Sequence, residues 1–167
     1  MSVSALGAMA QDATPAAAPV GGGNAIDPAI GDTVVYVDKA GNPAANVTVE
    51  SVERGWQDYG EYDEPAVGVE YVAFTVTVES VTASGAVEVS DFDFSLQDAN
   101  GFLWGTSYAD AAEGAAMTPL EDDVLLAGGE STTFLVVFEV TAGSPLAHLF
   151  WQADSGRLLT LAMLEGV

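Results

Sequence analysis

Apolar residues recur at every second position through most of the chain after Gly31. The segment VEYVAFTVTVES puts Val72, Phe74, Val76 and Val78 on one side. Ala73, Thr75, Thr77 and Glu79 fall on the other. A period of two marks a strand with one buried and one wet face. ANVTVESVERGW follows the same rule until Val52, whose parity is opposite to that of Val47 and Val49. A β-bulge near Glu50 and Ser51 would return all three valines to one face.

In VSDFDFSLQDANG, Phe92, Phe94 and Leu96 alternate with Asp93, Ser95 and Gln97. Asp98-Ala99-Asn100-Gly101 then supplies turn residues, and FLWGTSY is expected as the returning strand of a hairpin. STTFLVVFEV carries apolar residues on both parities, with Phe134, Val136, Phe138 and Val140 in one row and Leu135 and Val137 opposite. Such a strand belongs at the centre of a sheet or must be covered on both faces. LAHLFWQ and GRLLTLAML close the chain as a hairpin around Ala153-Asp154-Ser155-Gly156. No segment keeps an apolar period of 3.6; the polar loop from Ala109 to Asp123 has room for one or two helical turns over Ala109–Met117. About seven or eight short strands separated by turn residues predict an all-β, immunoglobulin-like antiparallel sandwich.

Charge narrows the function. The chain has 167 residues with 3 Lys and Arg against 25 Asp and Glu, a net charge of −22. Such a field repels phosphates, which excludes nucleic acid and anionic lipid as partners and favours cations, basic partners or simple solubility. The absence of cysteine removes disulfides, thiolate nucleophiles, thiolate metal sites and a lipid-modified amino-terminal cysteine. No apolar run approaches the roughly 18 residues of a membrane span.

The first residues, MSVSALGAMAQDATP, pass from a short apolar stretch to Ala8-Met9-Ala10, a small-x-small pattern that a signal peptidase accepts. They lack a positive leading region, and the first lysine is Lys39. Residues 1–10 are therefore read as a signal-peptide remnant, 11–30 as a flexible linker rich in Ala, Pro and Gly, and 31–167 as the sandwich. The expected location is outside the cell or on its surface.

Several segments in order resemble the DUF4352 family of bacterial extracellular immunoglobulin-like domains, whose sandwich is of the MPT63 type. They are GDTVVYVD, NVTVESVERG, EYVAFTVTVES, FDFSLQDANGFLW and LLAGGESTTFLVVFEV, spread over Gly31 to Leu164. The resemblance implies a secreted sandwich, includes many lipoproteins, and carries no agreed catalytic residues. The sequence departs from the family at Gly128, where a proline is usual, and in lacking the lipoprotein cysteine.

The candidate site is GWQDYGEYDEP, residues 55–65. Asp58, Glu61, Asp63 and Glu64 lie within seven positions and could offer oxygens to calcium, although their order is not that of an EF-hand. Trp56, Tyr59 and Tyr62 could instead form a protein-contact surface. The bland alternative is a solvated loop whose aromatics tuck onto the end of the sandwich. Glu121-Asp122-Asp123, with Asp110 and Glu113 upstream, would share a cation with that loop if the two met.

His148 stands alone among potential metal ligands of its type and is read as a wet-face strand residue. Trp151 is read as core, while Trp104 is either core or a sugar-stacking ring. Gly21-Gly22-Gly23 is linker, and the Asn46-Val47-Thr48 sequon is read as chance strand composition. No G-x-S-x-G stretch occurs, and no carboxylate pair is singled out for glycoside hydrolysis. The reading is an exported, non-catalytic binding module without a cofactor, whose partner is a protein or envelope component. The alternatives are a calcium-stabilised or carbohydrate-binding module, or an enzyme with an unrecognised carboxylate site.

Overall fold

The computed structural model describes residues 26–153 and 156–167. The signal-peptide reading, most of the linker, Gly21-Gly22-Gly23 and turn residues Asp154 and Ser155 lie outside them. Among the described residues ten strands run in order: β1 (Thr33–Val37), β2 (Pro43–Arg54), β3 (Val69–Ser80), β4 (Ala86–Val89), β5 (Phe94–Asp98), β6 (Leu103–Gly105), β7 (Val124–Ala127), β8 (Ser131–Thr141), β9 (Leu146–Trp151) and β10 (Leu159–Met163). One sheet has the order β1-β2-β3-β8, the second β10-β9-β5-β6, and β4 pairs with β7 as a small ribbon. Every strand pair is antiparallel.

The rows read from the sequence meet between the sheets. Val47, Val49, Phe74, Val76, Phe134 and Phe138 face Phe94, Leu96, Leu149, Trp151 and Leu161 in one core. Rings cross the gap: Phe94 lies edge-on to Phe134 at 5.9 Å, and Tyr36 edge-on to Trp151 at 5.2 Å. Each fully buried side chain of this size contributes about 1.5–3 kcal/mol, so these rows hold the sheets together. Trp151 is wholly buried, as expected of a core residue.

The β2 bulge falls where parity demands it. Val49 pairs with Val76 and Ser51 with Thr75, so Glu50 is the extra residue. Val52 is thereby returned to the core side, opposite Phe74. A second irregularity, between Thr160 and Ala162 in β10, allows Leu159, Leu161 and Ala162 all to be buried.

Four local expectations are corrected. Phe92 does not continue the β5 row: Asp91–Asp93 forms a 3-10 turn and the ring is 66% exposed. The strand returning from Gly101 spans only Leu103–Gly105. Residues 109–117 form no helix; a lone Ala115 N–H to Ala112 carbonyl bond (3.0 Å) closes one turn. The outer face of β3 is not wet throughout, because Tyr71 and Ala73 are buried.

That outer face is covered by loops. Trp56, Tyr71, Ala73, Ala109, Leu135 and Val137 form a second apolar group, with Tyr59 and Met117 packed against it. β8 is an edge strand covered on both faces, not a central one. Its open edge is closed by backbone bonds from Ser107 to Val137 (2.8 Å) and from Leu135 to Thr118 (3.0 Å). Covering an edge in this way blocks pairing with other chains.

Two glycines have specific duties. Gly101 (φ 89°) closes the β5–β6 turn, where buried Asp98 accepts the N–H groups of Asn100 (2.9 Å) and Phe102 (3.0 Å). A Cβ at Gly128 would overlap the Thr82 carbonyl, so this backbone contact excludes the proline usual in the resembling family. At the other end, Pro28 is buried and its carbonyl accepts Met163 N–H (2.7 Å), so packing reaches back before Gly31.

Candidate functional site

The 55–65 loop leaves β2 and lies against the outer face of the first sheet. Its entry is pinned by an ion pair between Arg54 and Glu70, and Gly143 N–H donates to the same carboxylate (2.9 Å). Partial burial opposes ionisation of Glu70, but the Arg54 and Gly143 hydrogen bonds and the Arg54 charge outweigh it and lower its pKa. Trp56, Tyr59 and Tyr71 form a trio of edge-on rings with centroids 5.6–6.1 Å apart. Tyr71, on β3, is a member of this trio that the loop sequence does not reveal. Burial, and then the nearby charges of Glu139 and Asp63, raise its pKa.

The three loop aromatics therefore separate. Trp56 is only 3% exposed, which removes it from any contact surface: a ring packed in a core cannot touch a partner. Tyr59 is half-buried, and Tyr62 is 92% exposed. The tucked alternative holds for Trp56, whereas Tyr62 faces solvent.

The two acidic loops do meet. Gly60 N–H donates to the Asp110 carbonyl (2.8 Å), Ala112 N–H to the Asp58 carbonyl (2.7 Å), and Asp110 N–H to the Asp63 carboxylate (3.3 Å). The join is made by backbone groups and one carboxylate. Asp58, Glu61 and Glu64 point to solvent. Among the described residues, no three His, Asp or Glu side chains gather closely enough to hold a metal ion.

Beside this join lies a feature that sequence reasoning missed. Asp91, Thr106, Tyr108, Asp110, Leu120 and Glu121 surround a cleft of about 40 Å³, floored by Leu135 and Val137 of β8. Tyr108 lines it, Phe92 packs edge-on against Tyr108 at 5.8 Å, and the two rings are 77% and 66% exposed. Burial raises the pKa of Asp91, and the Asp123 charge adds to this against hydrogen bonds from the Phe92 backbone and Thr106. The only signal in the sequence was an aromatic flanked by acids, in DFDF. Its period-two fit made it look like core.

His148, Asn46 and Trp104 have local partners or packing. His148 Nδ1 is 3.1 Å from Gln97 Oε1 and its ring stacks on Phe150 at 5.5 Å. Asn46 donates to Glu79 (3.0 Å) across β2 and β3. Glu121, Asp122 and Asp123 are exposed. Trp104 packs against the main core and lines an open hollow with Asp98, Asn100, Phe102, Thr141 and Ser144. Its indole N–H is buried without a hydrogen-bond partner.

These features define an antiparallel immunoglobulin-like sandwich of the MPT63 type. MPT63, a secreted protein of Mycobacterium tuberculosis, matches with a TM-score of 0.58 and 20% identity over 84% of this chain and 96% of its own. The candidate lipoprotein ycdA of Bacillus subtilis matches at 0.55 and 19% over 74% of this chain but 37% of its own. The yjhA protein of Bacillus subtilis matches at 0.54 and 17%, over 77% and 83%. At these identities the likeness is one of fold. No family model matches the chain, so DUF4352 stays a resemblance, and no curated protein matches it in sequence. Among the described residues no helix is long and apolar enough to cross a membrane.

Proposed function

We propose that this chain is an exported, non-catalytic sandwich module that binds a protein or envelope component through the face built by its two joined loops. The observation that carries this reading is the set of large aromatics displayed there: Tyr62, Phe92 and Tyr108 are each mostly exposed. Exposed aromatics on a rigid support are the residues that anchor interfaces. The loops that present Tyr62 and Tyr108 are fixed by the buried Trp56 group and by backbone bonds, and Phe92 packs on Tyr108 from the 3-10 turn, so little ordering remains to be done on binding. The secreted and lipoprotein neighbours support an extracellular or surface location. A cleft of about 40 Å³ is small beside the roughly 300–1,000 Å³ of a small-molecule site, which weighs against catalysis in this cleft despite the raised carboxyl of Asp91.

Saturable, protease-sensitive binding of the full chain to the envelope fraction of the producing cells tests the reading. Tyr62→Ala with Tyr108→Ala is expected to weaken it at least several-fold, as interface anchors do. Absence of saturable binding, or binding that protease treatment and both substitutions leave unchanged, would sink it.

One observation favours a second reading. Trp104 and Phe102 beside Asp98, Asn100, Thr141 and Ser144 make an aromatic hollow ringed by polar groups, a composition suited to a sugar. Tryptophan fluorescence titrated with oligosaccharides decides it: no saturable change with any glycan tried rejects this reading.

A further inference from the structure

The cleft beside Tyr108 combines three properties. Its floor, Leu135 and Val137, is apolar. Three carboxylates, Asp91, Asp110 and Glu121, line its walls, and no lysine or arginine does. The exposed Tyr108 ring lines one side, with Phe92 edge-on against it. A metal ion is a poor match, because cations such as calcium need several oxygens converging on one point and no such group occurs among the described residues. An arginine or lysine side chain matches all three: a methylene stem for an apolar floor, a charged head for separated carboxylates, and attraction to ring faces. The volume agrees. At about 10–15 Å³ per water position, 40 Å³ admits about three, the scale of a side-chain tip.

We infer, resting on the protein-binding reading above, that this cleft receives one basic side chain projecting from an exposed segment of a protein partner. Its stem lies on Leu135 and Val137, its head among the three carboxylates, and its flank against the Phe92–Tyr108 pair. The net charge of −22 draws basic partners toward the whole molecule, and the cleft selects where the contact forms.

The test is an NMR titration of the full chain with N-acetyl-arginine amide. N-acetyl-citrulline amide, nearly the same shape without the charge, is the control. Saturable shifts confined to residues 91–93, 106–110 and 119–121, much smaller with citrulline, are expected. Tyr108→Ala should weaken the arginine probe about two- to fivefold, the equivalent of one exposed cation–π contact. Asp110→Asn should also weaken it, whereas Glu165→Gln, which removes the same charge outside the cleft, should not. Shifts scattered over the acidic surface, an equal response to citrulline, or equal loss with Glu165→Gln would overturn the inference. The two readings fail separately. Envelope binding with no arginine site removes the cleft and keeps the module. An arginine site without envelope binding does the reverse.

Discussion

Trp56 lies edge-on to Tyr71, ring centroids 6.1 Å apart, and its N–H donates to the Tyr71 carbonyl at 3.1 Å. One pair thus joins the acidic loop to the outer face of β3 through both ring and backbone. Trp56→Ala should cost about 3 kcal/mol, the usual loss for a buried large aromatic. Tyr62→Ala, six residues on and exposed, should stay within about 0.5 kcal/mol. Urea unfolding of the two variants measures both, and comparable losses would show that the loop is not organised as described.

Glu50 is the extra residue of the β2 bulge, so its removal should leave Val47, Val49 and Val52 all facing the core. Deleting Glu50 is expected to change stability by only about 1 kcal/mol. Deleting Thr48 shifts the flanking residues by one and turns a row of side chains from core to solvent, which should abolish folding. Circular dichroism and chemical unfolding of the two deletions compare them directly.

Glu70 has a pKa lowered from 4.5 in the folded chain, so its ionised form is stabilised by folding. That stability is present above pH 4.5 and is lost as pH falls through the folded value. Glu70→Gln should therefore cost about 1 kcal/mol at neutral pH, with wild type and variant converging in acid. Unfolding curves from pH 7 to pH 3 follow the difference.

Asp91 has the opposite sign. Its pKa is raised from 3.8, so its contribution is fully present below 3.8 and is lost as pH rises through the folded value. Asp91→Asn keeps an acceptor for the Phe92 and Thr106 hydrogen bonds and removes the charge facing Asp123. It should melt about 1–2 °C above wild type at neutral pH, a gap that closes on acidification. Scanning calorimetry at several pH values provides the check.

Calcium and magnesium at matched ionic strength should raise the melting temperature equally. The carboxylates do not converge on one point among the described residues, and both ions screen the same net charge. A shift specific to calcium would mean that the acidic loops rearrange to form a site, with Asp58, Glu61, Asp63 and Glu64 the first residues to substitute.

Much of this molecule was legible in its residue pattern. The period-two rows of β3 and β8, the Val52 parity break and the 98–101 turn each depend on local backbone geometry, which recurs identically wherever the pattern occurs. Phe92 shows where that rule fails. It fits the alternation of Phe94 and Leu96, yet the chain coils into a 3-10 turn before β5 begins, and the ring meets Tyr108 in the open.

The sequence by itself determined the all-β class, the strands that fill the core, the position of one bulge and the strongly negative charge of the chain. It did so because parity and composition act along the chain and need no knowledge of what lies opposite. Only the tertiary structure decided that Trp56 is buried and Tyr62 exposed, that the acidic loops join through Gly60 and Asp110, and that Asp91 shares a cleft with Glu121. Those relationships link residues tens of positions apart, and which loops share a face follows from how the sheets stack.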